Sequence, residues 1–483
     1  MLRRFFRDSA IYAASTLVSR GINLLLIPVY TRFLTAKDLG IVELVTVAGS
    51  VISIVLALEI SQAVARYQSL ASDPSERVAY VSTAFWFTAA VFGLFSVVAL
   101  GLAQSLSPSL FGLGFTPTLL SLMVVFIAVN GVTYFLQNLL RWELKPWSHA
   151  AVSILGAVVT AALVIVLIGH AGIGLIGLYS ASILGALTGA CLALARLRGS
   201  ISASFDAPKL RRMVKFSAPL AASGIAAIVF SSTDRVVIQH FSGLGELGIY
   251  GIALRFAAIM GLVLVGFQTT IVPLVTTRYR DPDTPRQLAR VFRLFLALSL
   301  PAALCLSLFA PEILMLFTTP VFFAGAQIIP ILTAGTVIAG MYVFAPGLWI
   351  AGRSSLTLAI YLVLATVNVG VNLFLVPKWG VTGAAYTSFL TAVLSFVLLF
   401  AASQRFYHVP FEWARILGAI VFFLLLIYAC TIANSHPVGD VTLSLVFTKV
   451  FLVAAASAGL VAPLVKRAEL QAILSRLAWI YAR

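Results

Sequence analysis

The chain has 483 residues, of which 61% are hydrophobic and 10% charged, and its formal net charge is +16. A soluble domain is typically ~45–50% apolar and ~25% charged, so this composition excludes an ordinary soluble domain and favours a membrane protein. The five histidines and three cysteines have no metal-ligand spacing, and the sequence contains neither a P-loop nor a nucleophile-elbow motif. We therefore expect no enzymatic activity, no cofactor and no metal.

Long apolar stretches follow one another along the whole chain. A helix needs ~20 apolar residues to cross the hydrocarbon of a bilayer, and about fourteen stretches reach roughly that length. Their predicted bounds are 9–31, 40–64, 79–103, 118–140, 149–169, 174–195, 216–233, 248–272, 291–309, 326–347, 355–376, 381–402, 416–432 and 442–464. The predicted fold class is all-α, a polytopic membrane protein with about 14 transmembrane helices.

Basic residues are concentrated in alternate connections between these stretches. Arg3, Arg4 and Arg7 precede the first span, whereas the connections of the opposite set retain few cations. Cytoplasmic loops of membrane proteins carry an excess of Lys and Arg, so this pattern predicts that both termini are cytoplasmic. The net positive charge then reports membrane topology and contact with anionic lipid and does not indicate a nucleic-acid partner.

The sequence contains an internal repeat. The segment Asp38-Leu-Gly-Ile41 returns as Glu246-Leu-Gly-Ile249, and Gly174-x-x-Gly177 returns as Gly380-x-x-Gly383 at nearly the same spacing. We predict an N-terminal six-helix lobe (1–200), a C-terminal six-helix lobe (201–403), and two additional transmembrane helices with a cytoplasmic tail (404–483). Six spans per lobe make the repeat parallel, an arrangement suited to alternating access.

Several arginines lie within or at the ends of spans. Arg20 lies ~16 Å into the first span at 1.5 Å per residue, near the midplane, and Asn23 shares its helical face. Arg255 lies in the eighth span, and Arg32 and Arg235 lie at the ends of the first and seventh. Such charges either pair within the protein or face a water-filled cavity. In the second case a guanidinium binds phosphate bidentately, so we take these five residues as substrate-binding candidates.

Uncharged polar residues recur at helical spacing in two further spans. Asn130 and Gln137 lie in the fourth span, and Asn368 and Asn372 lie in the eleventh. Amides in a membrane either line an aqueous cavity or join helices by hydrogen bonds, and the sequence leaves both roles open. These four residues complete the set of substrate-binding candidates.

Acidic residues within the spans are few. Glu59 and Asp234 are candidates for coupling transport to an ion. The alternative is structural pairing, with Arg66 for Glu59 and with Arg20, Arg255 or Lys449 for Asp234.

Four segments resemble a known family. They are Pro28-Val-Tyr-Thr-Arg-Phe-Leu34 followed by Asp38-Leu-Gly40, Ser232-Thr-Asp-Arg235, Gly248-Ile-Tyr250, and Gly380-Val-Thr-Gly-Ala-Ala385. They resemble the polysaccharide-export (Wzx-type) lipid-linked oligosaccharide flippases of the multidrug/oligosaccharidyl-lipid/polysaccharide exporter superfamily. The resemblance implies a V-shaped pair of six-helix lobes around a cationic central cavity, and Arg20 and Arg255 match the family's basic residues on the first and eighth spans.

The resemblance also implies a function and a location. The expected substrate is an undecaprenyl-diphosphate-linked oligosaccharide, a unit of O-antigen, capsule or exopolysaccharide, which crosses the bacterial cytoplasmic (inner) membrane while its lipid tail stays in the bilayer. A glycan polymerase and an export complex would be further partners. Three alternatives stay open: an ion-coupled drug or small-molecule antiporter of the same superfamily, a membrane-embedded glycosyltransferase, polymerase or ligase, and a non-transporting scaffold.

Overall fold

The computed structural model describes residues 2–71, 73–106, 116–434 and 443–464. Over these residues the chain is helical and contains no β-strand. Its α-helices are α1 (Leu2–Leu25), α2 (Ile27–Phe33), α3 (Ala36–Ala57), α4 (Ile60–Leu70), α5 (Pro74–Leu106), α6 (Pro117–Trp142), α7 (Pro146–Val164), α8 (Gly174–Arg196), α9 (Ala207–Ala257), α10 (Met260–Arg278), α11 (Thr284–Leu308), α12 (Ala310–Phe317), α13 (Ile329–Gly340), α14 (Gly347–Ile350), α15 (Ser354–Gln404), α16 (Trp413–Ala433) and α17 (Leu443–Val461). The predicted first residue of the last span, 442, and the predicted tail after residue 464 lie outside the described residues.

Within the described ranges, twelve helical segments are long and apolar enough to cross a membrane. Two of them, Ala207–Ala257 and Ser355–Gln404, run for 51 and 50 residues, more than twice the ~20 residues that one crossing needs. Each contains a glycine with non-helical backbone, Gly243 (φ 86°, ψ 175°) and Gly380 (φ 55°, ψ −136°), and takes in residues of two predicted spans. The prediction of an all-α polytopic membrane protein is confirmed, and its count of fourteen is approximate.

The chain divides into two compact units, Met1–Arg235 and Val236–Arg483. In the first unit, α4, α5, α6 and α8 share a core in which Val64, Val81, Leu136 and Ala193 are almost fully buried. The second unit has an aromatic core whose ring centroids lie 4.9–6.4 Å apart. Its members are Phe292, Phe295, Phe344, Phe400 and Phe411. The lobe boundaries at residues 200 and 403 stay predictions.

The repeated Gly-x-x-Gly motif has the same local structure in both units. Gly174 and Gly380 have φ values of +58° and +55°, which glycine adopts without the steric penalty of a Cβ atom. Three residues later, a Cβ added at Gly177 would lie 3.3 Å from backbone atoms of the preceding helix, and one at Gly383 would lie 2.6 Å from the carbonyl oxygen of Leu375. In each unit the first glycine therefore turns the chain, and the second lets the next helix pack closely against the one before.

The connection between α8 and α9 is bound to α5. The indole Nε1 of Trp86 donates to the carbonyl oxygen of Ser202 at 2.9 Å, and the backbone N–H of Asp206 donates to Oγ1 of Thr83 at 3.1 Å. Asp206 accepts from the ammonium and from the backbone N–H of Lys209. These bonds from Lys209, the side-chain bond foremost, hold the pKa of the Asp206 carboxyl below its usual value. The carboxylate caps the start of α9 and fixes where that helix begins.

Candidate functional site

Helix α1 has one exposed side that is apolar and one exposed side that is polar. Val18 and Leu25 are 46% and 71% exposed on one side, whereas Arg20 and Asn23 are exposed on another. An α-helix turns by about 100° per residue, so Arg20 lies about 200° around the helix from Val18. A charged side chain within a membrane span almost always faces a water-filled cavity or the bundle interior. We therefore assign the side with Val18 to lipid and the side with Arg20 to water.

Arg20 has no counterion within the part of the chain that the structure describes. Its guanidinium makes neither a hydrogen bond nor an ion pair there, and the same holds for Asn23 and for Arg32, which is exposed in the last turn of α2. An uncompensated cation at mid-depth is costly in hydrocarbon. Arg20 therefore needs water or an anionic ligand.

A second polar stripe runs along α6. Between residues 127 and 140 its exposed side chains are those of Asn130 and Tyr134, and Gln137 is half-buried one turn further. Arg141 is exposed on the same face in the last turn. Among the residues that the structure describes, the Asn130 amide bonds only to a carbonyl oxygen of its own helix, that of Phe126 at 3.2 Å, so it does not join helices there. Of the two roles that the sequence left open for Asn130, this geometry favours an aqueous surface.

The two stripes meet at His149 on α7. The ring of Tyr12 on α1 packs edge-on against the His149 ring at a centroid distance of 5.2 Å. From α6, Nε of Arg141 donates to Nε2 of His149 at 2.9 Å. We use "the two polar stripes" for Tyr12, Thr16, Arg20 and Asn23 on α1 and for Asn130, Tyr134, Gln137 and Arg141 on α6. They form the candidate site in the first unit.

Arg235 differs from Arg20 because it is neutralised within the protein. Its Nε lies 3.2 Å from Oε2 of Glu43, and its Nη1 lies 3.7 Å from Oδ1 of Asp234. Glu43 and Asp234 are both buried. The carboxylate of Asp234, a candidate for ion coupling, is thus engaged by its neighbour Arg235, and this cation is not freely available to a substrate.

Glu59 lies at a break between α3 and α4. Leu58 and Glu59 have φ values of 50° and 52°, a left-handed conformation that costs free energy in residues other than glycine. Glu59 lines a cavity of about 40 Å³ together with Tyr134, and its carboxylate makes no hydrogen bond or ion pair among the described side chains. The pairing with Arg66 that the sequence left open is not formed, since that guanidinium lies 4.5 Å from the ring centroid of Phe216.

The remaining candidates belong to the second unit. Arg255 is half-buried in the last turn of α9. Asn372 donates to the side-chain oxygen of Asn368 at 2.9 Å, and Asn368 donates to Oγ1 of Thr391 at 3.2 Å. These buried groups connect the two halves of α15. The network therefore joins two helical segments by hydrogen bonds.

Three polar residues of these contacts were not predicted as partners from the sequence. They are Glu43, His149 and Glu312, the last of which forms an ion pair with Lys449. The helical spacing of the α6 stripe reaches Arg141 but does not indicate which residue of α7 Arg141 contacts. Nothing in the sequence signals the other two pairs, because each joins residues far apart along the chain.

Comparison with known proteins identifies the family. The model of a family described as "Polysaccharide biosynthesis protein" matches residues 29–322, which is more than half of the chain. This chain belongs to the polysaccharide biosynthesis protein family. The resemblance to polysaccharide exporters found in the sequence is thereby confirmed. No curated protein matches this polysaccharide biosynthesis family protein.

Solved structures show the fold that this family member shares. The lipid II flippase MurJ in an inward closed conformation is similar with a TM-score of 0.73 and 14% identity, over 95% of this chain and 100% of that chain. An inward-facing MATE multidrug resistance transporter of the MOP superfamily is similar with a TM-score of 0.64 and 15% identity, over 82% and 97%. A MOP superfamily transporter from Pyrococcus furiosus has a TM-score of 0.55 and 14% identity, over 83% and 95%. The polysaccharide biosynthesis family protein therefore shares the fold of these structures, and the twelve long apolar helical segments among its described residues make it a multi-pass membrane protein.

Proposed function

We propose that this polysaccharide biosynthesis family protein is a flippase. Its substrate is an undecaprenyl-diphosphate-linked oligosaccharide, which it moves from the inner to the outer leaflet of the bacterial cytoplasmic membrane. The observation that carries the proposal is Arg20, an arginine at mid-span on the polar side of α1 with no counterion among the described residues. A guanidinium keeps its charge in a low dielectric and binds phosphate oxygens through two parallel N–H donors. A diphosphate supplies the negative charge that neutralises Arg20.

The other groups of the two polar stripes suit a carbohydrate attached to that diphosphate. Asn23, Asn130 and Gln137 offer amide donors and acceptors to sugar hydroxyls, and the lipid tail stays in the bilayer. Translocation then follows from alternating access, in which the ligand shifts the balance of conformations by its differential affinity for them. Both termini lie in the cytoplasm in this proposal, Arg32 adds positive charge in the first unit, and Arg255 is a substrate-binding candidate of the second unit. A glycan polymerase with its export complex receives the product.

The proposal is tested in a cell whose only copy of the gene has been deleted. We expect the lipid-linked oligosaccharide to accumulate on the cytoplasmic leaflet and the wild-type gene to restore surface glycan. Arg20→Ala should fail to restore it at wild-type protein level, and Arg20→Lys should restore it in part because it keeps the charge without the planar fork. Arg198→Ala, which removes an exposed arginine outside the stripes, is the matched control. Full export with Arg20→Ala would overturn the proposal.

A second candidate function is an ion-coupled antiporter of small molecules, favoured by Glu59. Its carboxylate lines a cavity at a strained helix break and has no described counterion, as an ion-coupling acid requires. An antiporter predicts that expression confers resistance to cationic dyes and that Glu59→Gln abolishes it. Dye sensitivity that is unchanged by expression would overturn the antiporter function.

A further inference from the structure

Arg141 lies where α6 ends, and its guanidinium is oriented by a histidine. The Nε–H of Arg141 donates to Nε2 of His149 at 2.9 Å. His149 is 2% exposed, so the acceptor side of this bond is shielded from water, whereas Arg141 is exposed. A ring nitrogen that accepts a hydrogen bond carries no proton, which makes His149 a neutral acceptor with its proton on Nδ1. One of the five N–H donors of Arg141, the one on Nε, is thus used. The four N–H donors on the two Nη atoms remain to bind a ligand.

The carboxylates near Arg141 are engaged by other cations. Glu143, two residues further on, lies 2.6 Å from Nζ of Lys145. Asp8, which acts electrostatically on Tyr12 beside His149, lies 3.4 Å from Nε of Arg7. Among the described residues Arg141 itself has no carboxylate partner. An exposed, oriented and uncompensated guanidinium at the end of a polar stripe has the properties of an anion-binding group.

We infer that Arg141, positioned by His149, is a second diphosphate-binding residue, separate from Arg20. Tyr12, which packs against His149, lies eight residues from Arg20 on the continuous helix α1, about 12 Å along its axis at 1.5 Å per residue. The diphosphate then contacts Arg141 at the end of the stripes and Arg20 deeper in the span. This inference rests on the proposed function, because it assumes a lipid diphosphate as substrate.

The experiment measures binding of farnesyl diphosphate, a short prenyl diphosphate without sugar, to the purified full-length protein in detergent. We expect Arg141→Gln to weaken binding about tenfold, the usual effect of losing a hydrogen-bonded charge. His149→Leu removes the acceptor and should weaken binding about threefold. His149→Gln keeps an acceptor oxygen and should bind within about twofold of wild type. Arg198→Gln, with the same loss of charge at an exposed site outside the stripes, should bind like wild type.

The double variant Arg141→Gln/His149→Leu separates positioning from a general structural effect. If His149 acts through Arg141, the double variant binds no more weakly than Arg141→Gln alone, because the two changes remove one interaction. The inference would be overturned if the losses of affinity in the two single variants multiplied in the double variant. Wild-type affinity in Arg141→Gln would also overturn it. If His149→Leu lowers the melting temperature, the affinities of His149→Gln and Arg141→Gln are compared instead. Near wild-type binding by His149→Gln with weakened binding by Arg141→Gln supports the inference, and equal affinities of these two variants overturn it. A wild-type protein that binds no farnesyl diphosphate would instead overturn the proposed flippase function.

Discussion

Arg235 and Glu43 form an ion pair across 192 positions of the chain, with Nε and Oε2 3.2 Å apart. The pair joins α9 to α3 within the first unit and lies almost out of contact with solvent, since the two side chains are 16% and 9% exposed. Asp234 adds a second carboxylate to the same arginine. The pairing separates Arg235 from Arg20: both are arginines of the spans, yet one is a structural cation and the other is open to a ligand.

We expect Glu43→Gln to destabilise the protein because it leaves the largely shielded guanidinium of Arg235, which is 16% exposed, partly uncompensated. Removing one member of a buried pair costs about 3 kcal/mol, and the remaining Asp234 will reduce this cost. Thermal unfolding of the purified protein in one detergent measures the change. Glu43→Gln/Asp234→Asn/Arg235→Gln is the control, since it removes the arginine together with both of its carboxylates and should recover part of the lost melting temperature. A Glu43→Gln protein as stable as wild type would show that the ion pair contributes no stability.

Gly383→Ala should be more damaging than Gly177→Ala. A Cβ at residue 383 would lie 2.6 Å from the carbonyl oxygen of Leu375, whereas one at residue 177 would come no closer than 3.2 Å to its neighbours. Forcing backbone apart typically costs ~1–3 kcal/mol. Gly370→Ala, in the same helix as Gly383 and with no atom within 4 Å of its Cβ position, should be neutral or slightly stabilising because alanine favours helix. Equal melting temperatures for all three variants would contradict the close packing at Gly383.

Stability should depend on Asp206 at acid pH. Its pKa is held below the usual 3.8, chiefly by the bond from Lys209, so the folded state binds the proton less well than the unfolded state does. The stabilisation is therefore complete above pH 3.8 and is lost as the pH falls through the lower, folded-state pKa.

Asp206→Asn tests this dependence, because asparagine still caps the helix but carries no charge. We expect the wild type to have the higher melting temperature at neutral pH and the difference to vanish in acid. A difference that is constant with pH would show that the carboxylate charge is not the cause.

The helices and the polar stripe of α6 could be predicted from the sequence, because both depend on local patterns: apolar length for a span and helical spacing for Asn130 and Gln137. The roles of other residues depend on contacts between distant segments. Asn372 has the same amide as Asn130, yet it bonds to Asn368 inside the second unit. Neither the partner of Arg235 nor the acceptor for Arg141 could be identified without the packing of α3 and α7, and helical spacing alone does not indicate which polar stripe is buried.

The central claim is that the polar sides of α1 and α6 face water within the membrane. It is tested most directly by single cysteines, placed in a protein whose Cys191, Cys305 and Cys430 have been replaced, and labelled with a membrane-impermeant thiol reagent. We predict that cysteines at Asn23 and Gln137 are labelled and that a lipid diphosphate slows their labelling. Cysteines at Val18 and Leu25, on the apolar side of α1, should stay unlabelled. Labelling that is equal on both sides of α1, or absent from Asn23 and Gln137, would contradict the account.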